Sequence, residues 1–332
     1  MVRLARDLDR RDFIRVVTAG MALMPTLGMS GLTRVVVPRR SRVALVRTSD
    51  RKLGVTAALK LLDLKRVKGR KVVIKPNFNS ADDTPGSTHN DTLSQLVTEL
   101  HGLNARGVTL GESSGPPQTR GVMEKKGTFD LARDFRFEVV DYEQITDNDW
   151  VTFPAAGTHW PQGFTLPRLV VDADYNVSTC CLKTHGFGGV FTMSLKLSVG
   201  LTPKSIRRTM HASPDMRRMI AELNTGYKPD LIVLDGVAAF TDGGPSRGEL
   251  KAGNVMIAGD DRVAVDAVGV AMLKSLGANQ AIMGRKIFEQ EQIARAVDLN
   301  LGVASADAID IVTGDAESKA LADTLRGILA QG

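Results

Sequence analysis

Short, continuous apolar runs recur along this 332-residue chain, separated by longer stretches with apolar residues at helical spacing. Residues 43–47, 71–74, 107–110, 137–140, 175–182, 230–236, 254–259 and 309–312 predict strands. Their apolar residues are consecutive rather than alternating, the pattern of strands covered on both faces. Stretches 53–64, 91–104, 215–223, 262–276, 281–297 and 318–329 predict helices. Strand and helix therefore alternate. The pattern predicts an α/β fold with a mixed, mostly parallel sheet and helices on both faces, built as one domain over 31–332 or as two lobes. Residues 142–168, with Trp150, His159 and Trp160 among prolines and glycines, are expected to be an insertion or a cover over the site.

Several runs stop at polar side chains. Lys75 and Asn77 close the second run, where Pro76 cannot continue a central strand. Glu112 closes the third, Lys183 and His185 the fifth, and Asp235 the sixth. In open α/β sheets that edge is where ligands bind. Three lysines brought together (Lys75, Lys183 and Lys196) repel one another unless an anion or acidic side chains offset them. A carboxylate or phosphate site is therefore expected. Lys75, Asn77, Lys196, His211 and Gly244 would contact the substrate, and Gly244 lies in a glycine-dense loop that a ligand can approach closely.

Lys183, His185 and His89 are the candidate catalytic groups. An imidazole moves protons near neutral pH, and a crowded lysine with a lowered pKa can act as base or nucleophile. His89 also sits just before the helix that opens at Asn90 or Asp91, where anions are favoured. Asp235 and Asp266, the latter among apolar helix residues, are expected to bind a divalent metal or to orient the histidines. The turn 111–117 offers small residues whose N–H groups could face a phosphate, without the lysine of a nucleotide loop. His101 and His159 read as solvated loop residues.

Charge and composition narrow the partners. The net charge is +6, but residues 1–30 hold five arginines and three aspartates, and removing that +2 leaves +4. With aromatics at 5% and no basic stripe, nucleic-acid binding is not expected. Arg10-Arg11, then Phe13, Ile14 and Arg15, then a mildly apolar stretch to Ser30 resemble a twin-arginine export signal over 1–30. Such a leader makes the translocase a transient partner and the periplasm the destination. If the leader is a plain helical arm instead, the protein is cytoplasmic. The two cysteines, Cys180 and Cys181, are adjacent in a predicted strand, point to opposite faces and read as core. No spaced cysteine set is present, so no iron–sulfur cluster is expected.

Lys75-Pro76-Asn77, Thr88-His89, Leu182-Lys183-Thr184-His185, Ser194-Leu195-Lys196 with Gly200, His211, Asp235-Gly236, Gly244-Pro245 with Gly248, and Ala264-Val265-Asp266 occur in that order. The series resembles the family called domain of unknown function 362, over residues 43–300. The resemblance implies an α/β fold and these candidate positions, and no particular reaction. Family members are often exported by the twin-arginine route or fused to a ferredoxin-like module. This chain lacks the cysteines of the second pattern and has Leu197 where the family pattern has Asn. Two classes of function stay open. One is an exported enzyme acting on a small anionic substrate, with or without a divalent metal. The other is a periplasmic anion- or metal-binding or redox-complex accessory protein without catalysis.

Overall fold

A computed structural model describes residues 40–332 of the chain; the leader 1–30 lies outside the described residues. The main sheet is built on eight strands: β1 (Ser41–Arg47), β2 (Lys71–Lys75), β3 (Gly107–Glu112), β4 (Glu138–Asp141), β7 (Tyr175–His185), β9 (Leu231–Gly243), β11 (Val255–Gly259) and β12 (Ile309–Val312). Their order across the sheet is β12-β1-β11-β9-β7-β2-β3-β4. The pairs from β9 through β7, β2 and β3 to β4 are parallel, as is β1 with β12, whereas β11 runs antiparallel to both neighbours. This is a mixed, mostly parallel α/β sheet.

Period two in the strands divides the core. Ala44, Val46, Val72, Ile74, Val108, Leu110, Leu231 and Val233 pack on one face beneath helices Arg51–Lys60 and Asn90–Gly102. Val43, Leu45, Cys180, Leu182, Ile232 and Leu234 pack on the other, against helices Arg262–Ser275 and Ala316–Gln331. Both faces are covered, and that is why the strands read as unbroken apolar runs. At the far end of the second face, Val73 meets a third cluster with Trp160, Phe164 and Leu166 and with helices Lys204–Ala212 and Met216–Leu223. Within 142–168, β5 (Trp150–Phe153) pairs with β6 (Phe164–Pro167) as a separate two-stranded sheet. No helix among the described residues is long and apolar enough to cross a membrane.

Two strands run past their expected ends. β7 continues through Lys183 to His185 because β8 (Val190–Thr192) folds back and pairs with it, Lys183 opposite Thr192 and His185 opposite Val190. β9 continues to Gly243 and turns into β10 (Gly248–Ala252), so Asp235 lies inside the strand instead of closing it. Helices Thr119–Lys125, Thr128–Phe135 and Lys204–Ala212 are additions to the predicted set. The predicted helix 281–297 divides into Gln280–Met283 and Glu291–Asp298, with a 3-10 turn between them.

Candidate functional site

β2 ends where Pro76 removes a strand donor, and Lys75 turns toward the neighbouring strand end. Its Nζ lies 2.6 Å from Glu112 Oε1, with both side chains buried. Glu112 also accepts from the Phe78 and Ser113 backbone N–H groups at 2.8 Å each, so a buried carboxylate is fully engaged. Burial outweighs the attraction of Glu112 and holds the Lys75 pKa below its ordinary value.

After Asn77 the chain makes a loop that closes on itself: Asn77 N–H donates to Thr88 Oγ1 and Thr88 N–H donates to Asn77 O, both at 2.9 Å. Lys183 fills the interior of this loop. Its Nζ donates to Asn77 Oδ1 at 2.8 Å, Gly86 O at 2.7 Å and Pro245 O at 3.0 Å. A single ammonium thus joins β7, the 77–88 loop and the β9–β10 turn. Burial lowers its pKa to about 8. Gly244 brings Pro245 within reach. Its φ is +75°, and a Cβ there would stand 2.1 Å from Thr184 O, so only glycine fits.

Lys196 differs from these cations. It sits on the short helix Ser194–Leu197, whose first N–H groups are held by Asp266, with Ser194 N–H donating at 2.7 Å and Leu195 N–H at 2.9 Å. The residue is only 9% exposed, yet its Nζ has no hydrogen-bond or ion-pair partner among the described residues. Burial, reinforced by the charges of Lys183 and Arg207, lowers its pKa to about 7. His185 accepts from Gly189 N–H at Nδ1, 3.2 Å away, and this leaves the ring proton on Nε2. Burial and then the Lys196 charge bring its pKa down to about 2, so the ring is neutral at any physiological pH. The expected shuttle near neutrality is therefore a fixed N–H donor in the free protein. His211 is exposed, with its pKa lowered by burial of part of the ring and then by Lys196.

Lys196 stands at the junction of two spaces. An inner recess of about 50 Å³ is lined by Lys75, Asn77, Glu112, Lys196, Leu197 and Gly200, among others. An outer cleft of about 650 Å³ is lined by Lys196, His185, His211, Phe187, Pro116 and Val199, among others. Phe187, on the glycine-rich turn 186–189, is 73% exposed at the cleft and meets the His185 ring edge-on at 6.0 Å. The outer cleft thus combines basic groups with an apolar wall, the usual makeup of a small-molecule site.

Lys75, Asn77, Lys183, His185, Lys196, His211 and Gly244 are brought to one region. Asp235, Asp266 and His89 have other partners. Asp235 accepts from Arg51 Nε at 2.9 Å, Thr92 Oγ1 at 2.7 Å and Val237 N–H at 3.1 Å. Asp266 spends both oxygens on the Ser194 and Leu195 N–H groups, and burial raises its pKa to about 7. Every oxygen of both carboxylates already accepts from a protein donor, and among the described residues no group of three or more His, Cys, Asp and Glu could hold a metal ion. The expected metal role of the two aspartates is replaced by ion pairing and helix capping. His89 caps helix Asn90–Gly102 through Nδ1, which accepts from Asp91 N–H at 3.0 Å, and it lines neither space.

The 111–117 turn is not an N–H cradle. Ser113, Ser114 and Gly115 N–H donate to Glu112, Thr119 and Asn79, while the Ser113 and Ser114 carbonyls face Arg207. Arg207, absent from the expected set, also donates to Ser113 Oγ and Thr202 O, so its guanidinium is committed. Lys204 at the cleft is paired with Glu143 at 2.7 Å. His159, expected to be solvated, bonds buried Glu222 at 2.6 Å beside Arg295 and fixes the 142–168 segment.

The chain is 28% identical over 214 residues to the thylakoid-associated protein sll1697 of Synechocystis sp., a match covering 60% of this chain and 62% of that protein. The chain thus spans less than two thirds of that relative's length. Among solved structures it is similar to the lactate racemase apoprotein from Thermoanaerobacterium thermosaccharolyticum, at a TM-score of 0.46, 14% identity and 86% coverage of each chain. Residues 72–271, most of the sheet and all of the site, match the family described as Domain of unknown function (DUF362), and the chain belongs to that family.

Proposed function

We propose that the protein is an enzyme that binds a small anionic substrate, a carboxylate or a phosphate ester, in the cleft at Lys196. One observation carries the reading: Lys196 is a buried amine without a partner, at the junction of a recess and a cleft, while Lys75, Lys183 and Arg207 around it are fully engaged. The Nζ faces the recess and the cleft, where water or a ligand can reach it, and an anion there would gain a charge-assisted hydrogen bond that no protein group supplies. Its pKa of about 7 lets it take or give a proton at neutral pH. His185 would donate Nε2–H to the same anion, and the apolar wall of Phe187, Pro116 and Val199 would hold the organic part. We further propose export by the twin-arginine route to the periplasm, on the strength of Arg10-Arg11 and the apolar stretch after them.

The test is binding and turnover of a panel of short carboxylates and phosphate esters, by thermal shift and by mass spectrometry of products. Wild type should be stabilised by at least one member and convert it, with Lys196→Met and His185→Gln losing both effects. Binding without product would favour a non-catalytic binding protein. Binding that survives unchanged in both variants would remove the site assignment.

A further inference from the structure

We propose that the substrate is an anionic carbonyl compound of the 2-oxo acid class and that Lys196 forms a covalent imine with its carbonyl carbon. The inference rests on the anion site proposed above and assigns it a bond-forming group. Four observations support it.

Lys196 Nζ is free of hydrogen-bond and ion-pair partners among the described residues, so no donor or acceptor must be displaced before its lone pair can attack. It is carried on a rigid mount. Asp266 holds the N–H groups of Ser194 and Leu195, and Ser198 Oγ donates to Leu195 O at 2.7 Å, which ties the same turn. A nucleophile on a fixed element keeps its attack geometry. The residue is 9% exposed and lies near the charges of Lys183 and Arg207, which favours the neutral amine that a nucleophile needs. Finally, the recess beyond it, about 50 Å³, has room for only a few atoms, and is lined by the Lys75–Glu112 pair.

The step balances without an added oxidant or reductant. The Lys196 amine adds to the carbonyl carbon, its proton passes to the carbonyl oxygen, and the carbinolamine loses water to give a protonated imine. The Lys75 ammonium lines the same recess as Lys196 and would protonate the departing oxygen by turning one of its N–H groups from its present partners, then recover the proton from solvent. The iminium keeps one positive charge beside the substrate carboxylate, replacing the charge that a simple ammonium would supply.

The test uses the full chain and four probes: pyruvate, 2-oxobutyrate, phenylpyruvate and glyoxylate, each with sodium cyanoborohydride at pH 7. Peptide mapping should find one reduced adduct, on the peptide holding Lys196, from at least one probe. Propionate, an anion with no carbonyl, is measured in parallel by thermal shift and should leave no adduct. Lys196→Met should lose the adduct, but the map of the wild-type protein decides the matter even if that variant does not fold. If propionate stabilises the protein and no probe labels Lys196, the imine is overturned and the anion site stands. Labelling spread over exposed lysines, with none at Lys196, also overturns it. If neither propionate nor any probe binds, the anion site fails as well.

Discussion

Lys75 Nζ and Glu112 Oε1 lie 2.6 Å apart across the ends of two adjacent parallel strands, both buried, and form one wall of the inner recess. A buried pair of this kind is worth little against an apolar replacement but is expensive to break. Glu112→Gln should therefore destabilise the fold by about 3–5 kcal/mol, because it leaves a buried ammonium uncompensated. Lys75→Met combined with Glu112→Gln should recover part of that loss, because it removes the uncompensated ammonium while the amide oxygen can still accept from a backbone N–H of Phe78 or Ser113. Urea denaturation of the single and double variants checks both. Gly200→Ala bears on the same pair, since its Cβ would stand 2.6 Å from Lys75 Nζ and 2.9 Å from Glu112 Oε1. It should lower the midpoint, by less than Glu112→Gln does.

Lys183 is an architectural residue by the same reasoning. Lys183→Met removes the donor from Asn77, Gly86 and Pro245 together and leaves buried acceptors unsatisfied. A loss of about 3 kcal/mol or more is expected, at roughly 1–3 kcal/mol for each unsatisfied buried group. Hydrogen exchange should show the 77–88 loop and the β9–β10 turn opening together. Opening of one without the other would contradict the three-way tie.

Lys196 should behave in the opposite way. Its folded pKa of about 7 lies below the ordinary 10.5, so the folded state binds fewer protons than the unfolded state between those values. The cost of burying its charge is present in full below pH 7 and disappears as pH rises toward 10.5. Lys196→Met should thus be at least as stable as wild type, with the largest gain below pH 7 and a gain that shrinks above it. Melting curves from pH 5.5 to 9.5 test the sign. A variant less stable at pH 6 than at pH 9, relative to wild type, would contradict it.

The expected fold class was legible because strands covered on both faces leave unbroken apolar runs, as Val43–Val46 and Leu231–Leu234 do. The site was legible as a set of residue types but not as roles. Nothing in the order Lys183-Thr184-His185 says that β8 returns to extend the strand, or that three carbonyls and amides surround the Lys183 ammonium. Asp235 read as a strand end because the apolar run stops there, yet β9 continues and Arg51, far away in sequence, takes the carboxylate. Arg207 lies in a stretch with no predicted element, and only the packing of helix Lys204–Ala212 against the 111–117 turn gives it acceptors there. Local pattern carries burial; pairing between distant residues has no local signature.

His185 offers a prediction about a single proton. With Nδ1 accepting from Gly189 N–H and the pKa at about 2, the ring should be the neutral Nε2–H tautomer from pH 4 to 9. Nitrogen-15 NMR of labelled protein reads the tautomer directly. Titration of this ring between pH 5 and 8 in the free protein would contradict the assignment.

The central claim is that an anion enters the cleft and engages Lys196, and proton linkage tests it most directly. An anion beside the amine raises its pKa, so binding of propionate at pH 8 should take up close to one proton, and at pH 6 close to none. Calorimetry in buffers of different ionisation enthalpy measures that number. The account predicts uptake at pH 8 that is absent in Lys196→Met. Binding with no proton uptake at pH 8, or with the same uptake in Lys196→Met, would contradict it.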